Sequence, residues 1–172
     1  LELGLKGGYQ EENAALALQA FLLFMPQQGW EIDSAKIRTA LKETRWAGRL
    51  EETSPGIYLD GAHNLPALER LVEFIQSQND KECLLLFGAL KRKDYDAMLA
   101  YLREALPDVQ LTVTSFSDGD SLGQADAEGF LYIEDYRQLI QNFQERQNDN
   151  QLLFITGSLY FIAEVRAYLT SL

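Results

Sequence analysis

One histidine serves the whole 172-residue chain, and it lies in the run Asp60-Gly-Ala-His63-Asn64. Any imidazole chemistry must use it. Gly61 permits a tight backbone there, which leaves Asp60 and His63 free to point into a crevice and hold a substrate. The same run also reads as a capped strand-to-helix turn, with Asn64 as N-cap, Pro66 in the first helical turn and His63 satisfying a backbone group. A second candidate is Thr156-Gly-Ser158, where a serine can cap a helix whose exposed amides suit a carboxylate or phosphate. A plain N-cap accounts for it equally well. In Gly88-Ala-Leu-Lys91-Arg92-Lys93-Asp94 three consecutive cations interrupt an acidic chain, either as a solvated loop or as an attractor for an anion. Arg49, in Arg45-Trp-Ala-Gly-Arg49-Leu-Glu51, carries a guanidinium that can grip phosphate bidentately, or simply adds surface charge.

The elements around these residues explain why they are candidates. Short apolar runs alternate with amphipathic helical stretches: Ile57–Leu59 before a helix over 65–78, Cys83–Phe87 before a helix over 94–106, then a strand over 109–116. Phe130–Ile133 precedes a helix over 135–146, and Leu152–Ile155 precedes a last helix ending near Tyr168. Continuously apolar strands alternating with helices predict a parallel sheet covered on both faces, an α/β layered domain from about Trp46 onward. In such a sheet ligands bind beyond the carboxyl ends of the strands, where the candidate runs fall. Two helices stand in front. Residues 10–25 carry two apolar stripes and end at Pro26 and Gly29; Ser34 to Thr44 is capped by Asp33, with Ile37 and Leu41 inward. The Gly/Ser/Asp-rich stretch 115–129 is a loop long enough to be mobile or functional.

Composition narrows the function classes. Fifteen Lys and Arg against 26 Asp and Glu give a net charge of −11, which argues against a nucleic-acid binder. The longest apolar stretch, Ala14 to Met25, is too short to span a bilayer, and no signal segment opens the chain, so a cytoplasmic protein is expected. The single cysteine, Cys83, sits in an apolar strand and offers neither a disulfide nor a cysteine metal cluster. No phosphate loop, dinucleotide glycine fingerprint or Gly-x-Ser-x-Gly elbow occurs. The chain begins at Leu1, close to a helical pattern, and reads as a piece of something longer.

Five runs, in order, resemble one family. They are Gly8-Tyr-Gln-Glu-Glu-Asn13-Ala-Ala-Leu-Ala, Arg45-Trp-Ala-Gly-Arg49-Leu-Glu51, Leu59-Asp-Gly-Ala-His-Asn64, Phe87-Gly-Ala-Leu90 with Lys93-Asp94, and Thr156-Gly-Ser-Leu-Tyr160. Together they resemble folylpolyglutamate synthase / dihydrofolate synthase, a branch of the Mur ligases. The resemblance implies a Rossmann-like layered α/β fold, with a mostly parallel sheet flanked by helices. It implies that 1–45 are the last helices of an ATPase (central) domain and 46–172 the C-terminal glutamate ligase domain. The implied reaction adds glutamate to folate or dihydropteroate at the expense of ATP, through an acyl phosphate. Asn13, Arg49 and Asp60 are then the ATP contacts, and His63 and Ser158 receive L-glutamate. None of the five is an acid-base catalyst in that scheme. The magnesium ligands belong to the ATPase domain, so the chain alone is expected to be inactive. Tyr9 stands where many relatives have His, and the stretch 115–129 lacks the Pro-Arg element that relatives often carry. The alternatives are a stand-alone binding module and the C-terminal domain of a peptidoglycan Mur ligase.

Overall fold

The computed structural model describes residues 1–146 and 148–171. Among the described residues two α-helices, α1 (Tyr9–Gln27) and α2 (Ser34–Glu43), precede six strands, four further α-helices and one short 3-10 turn at Gln124–Asp126. The strands are β1 (Glu51–Ser54), β2 (Ile57–Leu59), β3 (Glu82–Phe87), β4 (Gln110–Thr114), β5 (Leu131–Ile133) and β6 (Gln151–Thr156). Between and after them come α3 (Leu65–Gln76), α4 (Tyr95–Ala105), α5 (Tyr136–Arg146) and α6 (Leu159–Leu169). The sheet runs β1-β2-β6-β3-β4-β5 and is parallel except for the edge pair β1–β2, giving the expected layered α/β domain.

Strand β6 shows why its sequence is apolar throughout. Successive side chains point to opposite faces, so Leu152 and Phe154 pack beneath α3 and α4 with Leu68, Leu71, Val72, Met98 and Leu102. Leu153 and Ile155 face the other way, against Tyr136, Ile140, Phe161 and Val165 of α5 and α6. A strand buried on both faces has no polar side to show. Truncating one of these wholly buried residues, such as Leu153 to Ala, should cost about 2–5 kcal/mol.

Strand β1 is the element that sequence pattern misses. Glu51-Glu-Thr-Ser54 reads as a polar loop, yet it pairs antiparallel with β2 (Glu51 opposite Leu59) as an edge strand with an irregularity between Glu52 and Ser54. An edge strand needs no apolar face, so pairing geometry decides it.

In front of the sheet, Pro26 does not end α1, which continues to Gln27. A proline in the last turn sacrifices one backbone bond and keeps a helical φ. Gly29 ends it instead, at φ +69°, with Trp30 N donating to Met25 O and Gly29 N to Pro26 O. Trp30 then meets Phe24 edge-on at 6.5 Å, completing a Schellman stop with its apolar contact. Asp33 caps α2 as expected, its Oδ1 accepting from Ala35 N and Lys36 N. The apolar stripes of α1 are largely uncovered: Leu16 and Leu23 are 68% and 64% exposed. No described helix is long and apolar enough to cross a membrane.

Candidate functional site

Strand register brings the candidate runs together. Leu59 lies opposite Ile155 and Thr156 opposite Phe87, so the loops leaving β2, β6 and β3 emerge side by side from one end of the sheet. The carbonyl of Ala62 joins the first two, accepting from Gly157 N at 3.1 Å and from the buried Thr156 hydroxyl at 3.2 Å. Gly88 N donates to Thr156 O, joining the third. Gly157 sits at φ +114°, and a Cβ there would lie 2.7 Å from Gly88 O, so only glycine lets these strands close at this point.

Asp60 is the organiser of the end. Its Oδ1 accepts from Ala62 N and its Oδ2 from Leu50 N, both at 2.9 Å. One carboxylate thus holds its own loop and the distant loop that carries Arg49. Burial pushes the Asp60 carboxyl above its ordinary value, against the opposing pull of the two amides and of Arg49. The Arg49 loop is folded tightly, with Gly48 at φ +68° and Leu50 at φ +44°. Gly61 N donates to Gly48 O at 2.7 Å, so the two loops are stitched in both directions.

The Arg49 side chain is exposed, and among the described residues it has no hydrogen-bond or ion-pair partner. It borders a cavity of about 620 Å³ that also meets Lys6, Trp46, Glu51, Glu52 and Arg166. His63 is half-buried. Its Nδ1 lies 2.7 Å from Gly61 O, and because a carbonyl only accepts, Nδ1 carries the proton and Nε2 the lone pair. Ser158 is buried and caps α6, its Oγ accepting from Tyr160 N at 3.2 Å. Both plain readings of these motifs, a capped turn and an N-cap, are therefore realised. Asn64 completes the first, accepting from Ala67 N at 3.0 Å.

Arg49, Asp60, His63 and Ser158 thus share one end of the sheet, whereas Asn13 lies on exposed α1 and bonds only Gln10 among the described residues. Gln10 itself is 2% exposed, and its Nε2 has no partner among the described residues. Its neighbour Tyr9 is half-buried beside the core; burial, and then the negative field of Asp60, push its phenol up. The cationic run is largely neutralised: Lys91 pairs with Asp126 and Arg92 with Asp120, both at 3.0 Å. These acids belong to the 115–129 stretch, which folds onto the 88–91 loop through the Leu90–Ser121 bridge. Cys83 is buried and its thiol pushed up by that burial, consistent with an inert core residue.

Reasoning from sequence overlooked Glu51, whose carboxylate accepts from Gly48 N at 2.8 Å and from Arg166 Nε at 3.0 and 3.1 Å. Its place in the Arg-Trp-Ala-Gly-Arg-Leu-Glu run was the available signal. Among the described residues no cluster of three His, Cys, Asp or Glu could hold a metal ion. The acids nearest the site are each committed, Asp60 to two amides, Glu51 to Gly48 N and Arg166, and Glu52 to Gly56 N and Lys6, so they do not fit a magnesium shell.

Comparison with known proteins agrees with this architecture. The profile of the Mur ligase glutamate ligase domain matches residues 48–159. The folylpolyglutamate synthase of Lacticaseibacillus casei is 33% identical over 174 residues, covering 96% of this chain and 40% of that protein. The dihydrofolate synthase/folylpolyglutamate synthase of Bacillus subtilis is 29% identical, again over 96% of this chain and 40% of its own length. The apo form of L. casei FPGS superimposes with a TM-score of 0.76 at 26% identity, covering 98% of this chain and 38% of that one. The chain therefore spans about 40% of the length of these curated relatives. It belongs to the Mur ligase family, whose glutamate ligase domain is matched by residues 48–159.

Proposed function

We propose that the chain is the C-terminal part of an ATP-dependent ligase that adds glutamate to a folate. The relatives named folylpolyglutamate synthase, and a solved FPGS–AMPPCP complex that superimposes with a TM-score of 0.74 at 26% identity, support the reaction class and the nucleotide. The γ-phosphoryl group passes from ATP to a folate carboxylate, giving an acyl phosphate and ADP. The glutamate amine then attacks the acyl carbon, loses a proton, and expels inorganic phosphate. Residues 1–45 belong, in this reading, to the ATPase domain, whose body covers the exposed stripes of α1. In the same reading the magnesium ligands lie elsewhere in that domain.

The observation that carries the proposal is Arg49. Its flanking amides are held by two carboxylates while its guanidinium has no hydrogen-bond or ion-pair partner among the described residues, which suits a preorganised clamp for developing phosphoryl charge. Asp60 contacts the nucleotide only secondarily, since both its oxygens already hold amides. Asn13 approaches the adenine from α1. His63, through Nε2, and the N-terminus of α6 at Ser158 receive the glutamate, the helix end favouring its carboxylate. All five position substrates rather than transfer protons.

Arg49→Ala in the full-length enzyme tests this. The expected loss in kcat/KM for ATP is about 100-fold or more, the scale on which a lost charge clamp acts, with unchanged thermal stability. A rate near that of the parent would remove Arg49 from the phosphate site.

A further inference from the structure

The geometry points to Glu51 as a positioning residue that sets the aim of Arg49 and ties it to the helix presenting the second substrate. The inference rests on the reading of Arg49 as the phosphate contact. Its basis is a chain of bonds between elements far apart in sequence. The Glu51 carboxylate takes the Gly48 amide with Oε2 and the Arg166 Nε with both oxygens. Arg166 lies on α6, the helix that Ser158 caps. Gly48 also approaches α6 closely, since a Cβ on it would lie 2.6 Å from Ile162 Cδ1. From the other side Asp60 holds the Leu50 amide, and Arg49 N itself donates to Trp46 O at 3.2 Å.

Three consecutive amides, those of residues 48, 49 and 50, are therefore fixed while the Arg49 side chain is not. A loop with left-handed φ at both Gly48 and Leu50 has no helix or strand ladder to hold it, so these side-chain bonds define its shape together with two backbone bonds, Arg49 N to Trp46 O and Gly61 N to Gly48 O. Arg166 borders the same cavity as Arg49 and is held by the same carboxylate. Because the other end of the Glu51–Arg166 pair is α6, a movement of that helix is passed to Arg49 through one carboxylate.

The test is a double-mutant cycle in the full-length enzyme, with Arg49→Ala, Glu51→Ala and the pair, reading kcat and the KM for ATP and for glutamate separately. Glu51→Ala is expected to lower kcat/KM for ATP by about 10- to 100-fold, the cost of misplacing a clamp by the order of 1 Å, while KM for glutamate stays within about twofold. A residue acting only through Arg49 adds little once Arg49 is gone, so the double variant should match Arg49→Ala. Additive losses, or a Glu51→Ala enzyme with native ATP kinetics, overturn the inference while the proposed function stands. Native kinetics for Arg49→Ala overturn the function reading itself. Glu51→Gln keeps the side-chain length and one acceptor, and carries the same comparison where the alanine protein does not fold.

Discussion

Replacing Gly157 by alanine should damage both stability and the substrate end of the sheet, and its size can be worked from the backbone. At φ +114° an alanine is strained, at a cost of order 1–3 kcal/mol. The new methyl would also sit 2.7 Å from Gly88 O and 3.0 Å from the Phe87 ring. Neither can retreat easily. Gly88 N is bonded to Thr156 O, Phe87 pairs with Thr156 in the β3–β6 ladder, and the Phe87 ring is wholly buried. Strain and overpacking together predict a loss of about 3–5 kcal/mol, or a fall in melting temperature of roughly 6–20 °C for a domain of this size. The assay is thermal unfolding followed by circular dichroism, with Gly119→Ala as the control. Nothing lies within 4 Å of a Cβ at Gly119, so that variant should melt within a degree or two of the parent. If Gly157→Ala melts alongside Gly119→Ala, the close approach of the β6 and β3 loops is wrong, and with it the assembly of the site.

Two further outcomes follow from individual groups. Glu164 on α6 accepts from the Ser117 amide and hydroxyl, the Tyr136 hydroxyl and Arg137; burial pushes its carboxyl up, but these bonds outweigh it and leave it below its ordinary 4.5. Its stabilisation is therefore present above about pH 4.5 and lost as the pH falls through the lower folded value. Tyr136 is raised above its ordinary 10.0, first by burial and then by Glu164, so its share is present below pH 10 and lost as the pH rises further. Glu164→Gln should cost about 1–3 kcal/mol at pH 7 and flatten the acid limb in urea titrations at pH 3–7; an unchanged limb would refute it. His63→Ala should raise the KM for glutamate at least several-fold while leaving the KM for ATP near the parental value; equal values for both substrates would take His63 out of the glutamate site.

Much of this protein is legible in its sequence because local rules write it there. Asp33, Asn64 and Ser158 cap helices within three residues of themselves, and the doubly apolar β6 announces a sheet covered on both faces. The five-run resemblance rests on the same local text. What tertiary structure alone decided is long-range. Strand β1 carries no apolar alternation, so only its pairing with β2 makes it a strand. The roles of Asp60 and Glu51 depend on partners 10 and 115 residues away. A carboxylate near a glycine loop can face solvent, a ligand or a backbone amide with equal local plausibility. Which of these it does is settled by where the sheet register and the packing of α6 bring the distant amide, and those are properties of the folded chain.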